Sequence, residues 1–254
     1  MLEPAISLVL TKLKEIRDSQ ERRPRVSRDT LLRFVESRLQ GSQLAPGKSE
    51  LLELLNSRVS SCTKCPHLAR SRTQTVFGVG NPDAELMFIG EAPGADEDAR
   101  GEPFVGRAGQ LLTRIIETMG LTRGDVYIAN ILKCRPDMPD GISGNRPPTP
   151  DEMQTCISYL LEQVRIIQPR VIVALGATAV EGLLGVRRTM RELRGRWHSF
   201  NDTPLMITYH PSYLLRNPML SEKRKVWEDM LAVLEHLEKP ISEKQRKYFL
   251  SAND

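Results

Sequence analysis

The chain has 254 residues, of which 40% are apolar and 27% charged, with a formal net charge of +4. That is enough chain for one substantial core, since compact domains hold roughly 100 to 200 residues; no run is apolar enough to span a bilayer and no secretory leader opens the chain, so a cytoplasmic protein independent of membranes is expected. Bulk charge excludes wholesale attraction to nucleic acid, because residues 51–240 balance 23 basic against 23 acidic groups and residues 1–50 carry only +3, which leaves local clustering as the one route to such a surface.

Residues 1–48 read as an extension, partly helical or disordered. Apolar residues recur at Leu2, Ile6, Val9, Leu13 and Ile16, and Asp29 stands before Leu31, Phe34, Val35 and Leu39 at roughly helical spacing. Arg22-Arg23-Pro24-Arg25 and the stretch from Gly41 to Lys48 are linkers in composition. The arginines suit DNA phosphates, and equally a solvated extension.

From Ser49 to about residue 240 the pattern tightens into one domain, followed by a short tail at 241–254. A helix through Leu51, Leu52, Leu55 and Val59 leads to Cys62-Thr63-Lys64-Cys65. Apolar runs then appear at 85–89, 126–131, 170–175 and 204–209, and amphipathic stretches follow them at 108–119, 151–167, 177–184 and 221–237. Four strands, each followed by a helix, predict an α/β fold: three α-β-α layers around a central four-stranded parallel sheet. Ligands of such sheets bind beyond the carboxyl ends of the strands.

Those ends carry the chemistry. The first run ends in Gly90-Glu91-Ala92-Pro93-Gly94, with Asp96, Glu97 and Asp98 close behind; alone, this loop reads equally as an acidic surface turn. The second run ends near Asn130, the third in Gly176-Ala177-Thr178, the fourth in His210-Pro211-Ser212. A lone Asn in a strand is ordinarily a satisfied core amide, and a lone His before Pro a structural hydrogen bonder. Their shared edge favours a site.

Cys62, Cys65, Cys134 and Cys156 are too few for a secreted disulfide framework. Four thiolates suit tetrahedral zinc or a [4Fe-4S] cluster, and the spacing, which leans towards zinc, does not decide between them. Either would be a closed, structural site.

Together these stretches resemble the family 4 uracil-DNA glycosylases, iron-sulfur enzymes of the uracil-DNA glycosylase superfamily. Gly90-Glu91-Ala92-Pro93-Gly94 with Glu97 and Gly101-Glu102-Pro103-Phe104-Val105-Gly106 looks like the first motif, Asn130 to Pro136 with Asn145-Arg146-Pro147-Pro148 and Cys156 like the second, and Tyr209-His210-Pro211-Ser212 like the third. The likeness runs from about Cys62 to Trp227 and leaves the extension unexplained. It implies a [4Fe-4S] cluster on Cys62, Cys65, Cys134 and Cys156, and an enzyme, expected as a monomer, that flips uracil out of DNA and hydrolyses its glycosidic bond to begin base excision repair.

It also implies roles. Phe104 stacks on the base; Asn130 reads the uracil edge; His210 donates to O2 as charge builds there. Glu91 and Glu97 belong to the pocket with Ala92, which stands where the best-known superfamily members carry a water-orienting Asp; Glu91 is the expected contributor to positioning water. Arg194 and Arg196, in the arginine-rich stretch 187–196, are expected on backbone phosphates, with Ser212, and Leu215 or Arg216 as the wedge entering the gap left by the base. A close relative traps DNA covalently through a His-containing insertion near the second motif; residues 144–149 hold no His, so turnover is expected. The competing reading is a metal-bearing DNA-binding module without catalysis.

Overall fold

The computed structural model describes residues 46–139, 142 and 144–250. The expected extension, with its helices and the Arg22–Arg25 cluster, lies outside them. The apolar runs become β2 (Leu86–Gly90), β3 (Tyr127–Asn130), β4 (Val171–Leu175) and β6 (Thr203–Thr208), which pair in parallel. Two edge strands, β1 (Val79–Gly80) and β5 (Trp197–Phe200), add antiparallel pairings, so the sheet has six strands in the order β1-β3-β2-β4-β6-β5. The expected four-stranded parallel sheet forms the centre, and the two edge strands extend it. β1 is too short for a pattern to register, and β5 is largely exposed, with His198 and Ser199 where an apolar run would be sought.

The helices are α1 (Lys48–Ser60), α2 (Pro66–Ser71), α3 (Ala95–Arg100), α4 (Arg107–Thr118), α5 (Pro150–Ile167), α6 (Ala177–Leu184), α7 (Met190–Leu193), α8 (Pro211–Arg216), α9 (Leu220–His236) and α10 (Glu243–Arg246). Strand side chains alternate between faces, and the core divides accordingly. Met87, Ile89, Ala129, Ile172 and Ile207 pack with α1, α5 and α6 on one face. Phe88, Ile128, Val173 and Met206 pack with α4 and α9 on the other. Covered on both faces, β2 and β4 carry no polar side chain and bury every residue.

Thr149 opens α5 with a capping box: its hydroxyl accepts from Glu152 N at 3.2 Å and Glu152 returns a carboxylate to Thr149 N at 2.7 Å. Residues 241–250, expected within a tail, pack against the rest of the domain. The Trp227 indole donates to Gln245 O at 2.6 Å and Gln245 Nε2 to Thr118 O at 2.9 Å, which seats α10 against α4 and α9.

In the register of the sheet Gly90 stands beside Asn130, and Leu175 beside Thr208. Chain reversals after all four parallel strands therefore open on the same edge.

Candidate functional site

The loop after β2 is built on Glu97. Its carboxylate accepts from Gly94 N (3.1 Å), Val105 N (2.9 Å) and Gly106 N (2.9 Å), drawing both ends of the 94–106 segment together. Glu97, expected in the pocket, lines the cavity, and its carboxylate is committed to the backbone of the loop. Phe104 is held at the other side of the loop with φ +55°, an outlier conformation for a bulky side chain. Arg123 clamps it by donating to Pro103 O (2.9 Å) and Phe104 O (3.3 Å), and Gly109 packs directly beneath its backbone.

Asn130 ends β3 with 2% of its surface exposed, and its Oδ1 is buried with no hydrogen-bond partner. An unpaired buried acceptor costs about 1 to 3 kcal/mol. Gly90 makes room for it: a methyl group there would lie 2.5 Å from Asn130 Oδ1 and 2.5 Å from Phe104 Cζ.

His210 caps α8. Ser212 N donates to Nδ1 at 3.1 Å and the Ser212 hydroxyl lies 2.8 Å from the same nitrogen, so Nδ1 accepts and the proton sits on Nε2. Burial, with Arg216 adding to it, lowers the imidazole pKa to about 4. The ring is neutral and a donor at pH 7. Its centroid is 5.6 Å from that of Phe104.

Phe104, Asn130 and His210 share one cavity of about 770 Å³, lined also by Glu91, Ala92, Gly94, Glu97, Asn145, Arg146, Ser212, Tyr213 and Arg216. It holds an aromatic wall, a free acceptor and a neutral donor. Burial raises the pKa of Glu91, opposed by a hydrogen bond with Thr178.

The profile described as the uracil DNA glycosylase superfamily matches residues 77–231. A type-4 uracil-DNA glycosylase of Thermotoga maritima is 46% identical over 187 residues, covering 72% of this chain and 93% of the relative. One from Archaeoglobus fulgidus is 41% identical over 182 residues, covering 68% and 88%. The chain belongs to the type-4 uracil-DNA glycosylase family. A type-5 uracil-DNA glycosylase of Thermus thermophilus is more distant, 29% identical over 190 residues.

The cysteines of this type-4 family member gather on the other face of the sheet from Phe104, Cys134 and Cys156 buried and Cys62 and Cys65 half-buried. Arg72 donates to Cys134 Sγ at 3.0 Å and to Cys62 O at 2.8 Å, and Lys133 N donates to Cys156 Sγ at 3.3 Å. Burial pushes the Cys156 thiol up to about 11; burial reinforced by neighbouring cysteines raises Cys65, and burial opposed by Arg72 raises Cys134. Four thiols on one face of the sheet, two of them buried and already receiving donors, are a donor set that fits a metal centre, whose positive charge would reverse these shifts.

The DNA-contact expectations divide. Ser212 and Arg216 line the cavity, Arg216 exposed at its mouth. Leu215 does not join them. It lines a separate apolar cavity of about 400 Å³ with Leu111, Ile115 and Trp227. Arg196 is exposed and contacts Glu192 O. Arg194, expected on a phosphate, turns inward: it grips Asp229 at 2.8 and 3.2 Å beneath the Tyr209 ring, and Thr208 donates to the same carboxylate at 2.6 Å. Arginine spacing could not show this, because Asp229 lies 35 residues away on α9. Arg194→Ala strands the Asp229 carboxylate and is expected to cost about 3 kcal/mol of stability. Urea unfolding measures it, and an unchanged midpoint with weakened DNA binding would return Arg194 to the DNA surface.

Proposed function

We propose that this protein is a uracil-DNA glycosylase that hydrolyses the N-glycosidic bond of a flipped uracil and leaves an abasic site. The observation that carries the reading is the partnerless, buried Oδ1 of Asn130 in one cavity with Phe104 and His210. Uracil presents a donor at N3 and an acceptor at O4, the complement of a carboxamide; cytosine presents the reverse. A site built around such an acceptor leaves it unpaired with the wrong base, and that penalty is the discrimination.

Phe104 gives the extruded base a stacking face. As the bond between uracil N1 and the sugar C1′ breaks, the electron pair passes to the ring, charge grows at O2, and the neutral His210 Nε2–H donates to it. Water adds to C1′ and yields the hydroxyl of the abasic sugar. The water's proton is lost towards Glu91, a carboxylate on the same cavity wall whose pKa burial raises. Cys62, Cys65, Cys134 and Cys156 would hold a [4Fe-4S] cluster whose contribution is structural, tying α2, the loop after β3 and α5 together. The reading takes the protein as a monomer working on DNA in the cytoplasm. Among the described residues no helix is long and apolar enough to cross a membrane.

The test is a uracil-containing oligonucleotide incubated with the purified protein and then treated with alkali. Free uracil with strand scission supports the reading; binding without scission supports a DNA-binding module. A brown preparation with broad visible absorption supports iron-sulfur over zinc.

The histidine adds a pH prediction. Its folded pKa of about 4 lies below the ordinary 6.5, so the unfolded chain binds more protons between those values. The stability it contributes is intact above 6.5 and is lost as pH falls towards 4. Single-turnover uracil release is expected to show no step from His210 near pH 6.5. A step centred there and abolished by His210→Gln would mean a cationic histidine instead.

A further inference from the structure

Arg146 lines the base cavity, yet its guanidinium is spent behind the wall. Nη1 and Nη2 pair with the two oxygens of Glu152 at 2.9 and 2.7 Å, Nε donates to Asp137 O at 2.7 Å, and Nη2 also meets Asp137 Oδ1. His67 closes the group, with Nε2 2.8 Å from Glu152 Oε1. His67, Asp137 and Glu152 bring their ligand atoms within 4.8 Å of one another, a spacing that could hold a cation, and the cation present is Arg146.

The origin of the three partners is informative. His67 lies two residues after Cys65, Asp137 three after Cys134, and Glu152 one helical turn before Cys156. Each cysteine-bearing segment therefore contributes one group. They converge on a residue whose neighbour, Asn145, closes the cavity: Asn145 Nδ2 stands 3.0 Å from where a methyl on Gly94 would be, beside the Glu97 carboxylate. Glu152 is 4% exposed and is not among the residues lining the cavity.

We propose that Arg146 is a positioning residue, a strut through which the segments assembled by the four cysteines hold the 144–148 wall against the uracil pocket. This rests on the glycosylase reading for its substrate. The metal site thereby acts on the pocket without touching DNA. Breaking the clasp leaves Asn130, His210 and Phe104 in place and loosens only the wall, so the loss falls on substrate binding.

The test is a double-mutant cycle. Arg146→Met and Glu152→Gln are each expected to raise KM for a uracil oligonucleotide about tenfold, with kcat within roughly threefold, since a wall displaced by about 1 Å can cost up to a hundredfold. The double variant should lose no more than the worse single, because both cut the same strut. Iron content and visible absorption should match the parent, while hydrogen exchange of a peptide covering 144–149 quickens in both. Additive losses, or a salt dependence of binding that falls by about one phosphate contact in Arg146→Met alone, would make Arg146 a direct DNA ligand and overturn the proposal. If Glu152→Gln loses iron, Asp137→Asn, on the exposed side of the clasp, takes its place with the same expected exchange signature. Parent protein that releases no uracil sinks the glycosylase reading and leaves the exchange result to judge the clasp.

Discussion

Asn130→Ala is expected to lower single-turnover uracil release by about a thousandfold, because it removes both the edge reader and a partner of the charge that builds on the leaving base. The same change should hold or raise the thermal midpoint. In the unliganded fold Oδ1 is buried without a partner, so truncation removes an unsatisfied acceptor and breaks no bond made through that atom. Function and stability should thus move in opposite directions, as at sites where strain is kept for activity. Rapid-quench release from a saturating uracil oligonucleotide, with a melting curve alongside, decides it. A loss below tenfold would remove Asn130 from the chemistry. A large fall in the midpoint would make it an ordinary core amide.

Gly90→Ala should be nearly as damaging although it adds one methyl group. That methyl would overlap Asn130 Oδ1 and the tip of the Phe104 ring at 2.5 Å each. Relief must come from those two side chains, because the Gly90 backbone is held against β3, opposite Asn130 and accepting from Ile131 N at 3.0 Å. Displacing both the stacking wall and the edge reader is expected to cost at least a hundredfold in release, with the far-ultraviolet circular dichroism of the sheet unchanged. Release within threefold of the parent would show that the pocket absorbs a methyl, and that Gly90 is required only for its turn.

Much of the frame was legible because its signals are local. Runs such as Val171–Leu175, followed by amphipathic stretches, announce buried parallel strands and their covering helices, and the helix boundaries expected from sequence fall within two residues of those observed. The polar residues at the strand ends were also visible in sequence, since a parallel sheet puts all such ends on one edge. What escaped depends on partners far along the chain. The β5 edge has no apolar run; Leu215 and Arg216 are neighbours in sequence yet face different cavities; Arg194 sits in an arginine-rich stretch and pairs with an acid on α9. Lys133 beside Cys134 offered no hint that its Nζ would be buried and bonded to Asn130 O at 2.9 Å and Gln163 Oε1 at 2.6 Å.

Sequence alone therefore determined the α/β class, the family likeness, the cysteine quartet and the trio Phe104, Asn130 and His210, because periodicity and short motifs act over a few residues. Only the tertiary structure decided which charges are free. Glu97 is tied to three backbone N–H groups, Arg194 to Asp229 and Arg146 to Glu152, whereas Asn130 Oδ1 is left without a partner. Hydrogen bonds and ion pairs are settled by proximity in space, and the folded chain assigns that proximity without regard to distance along it.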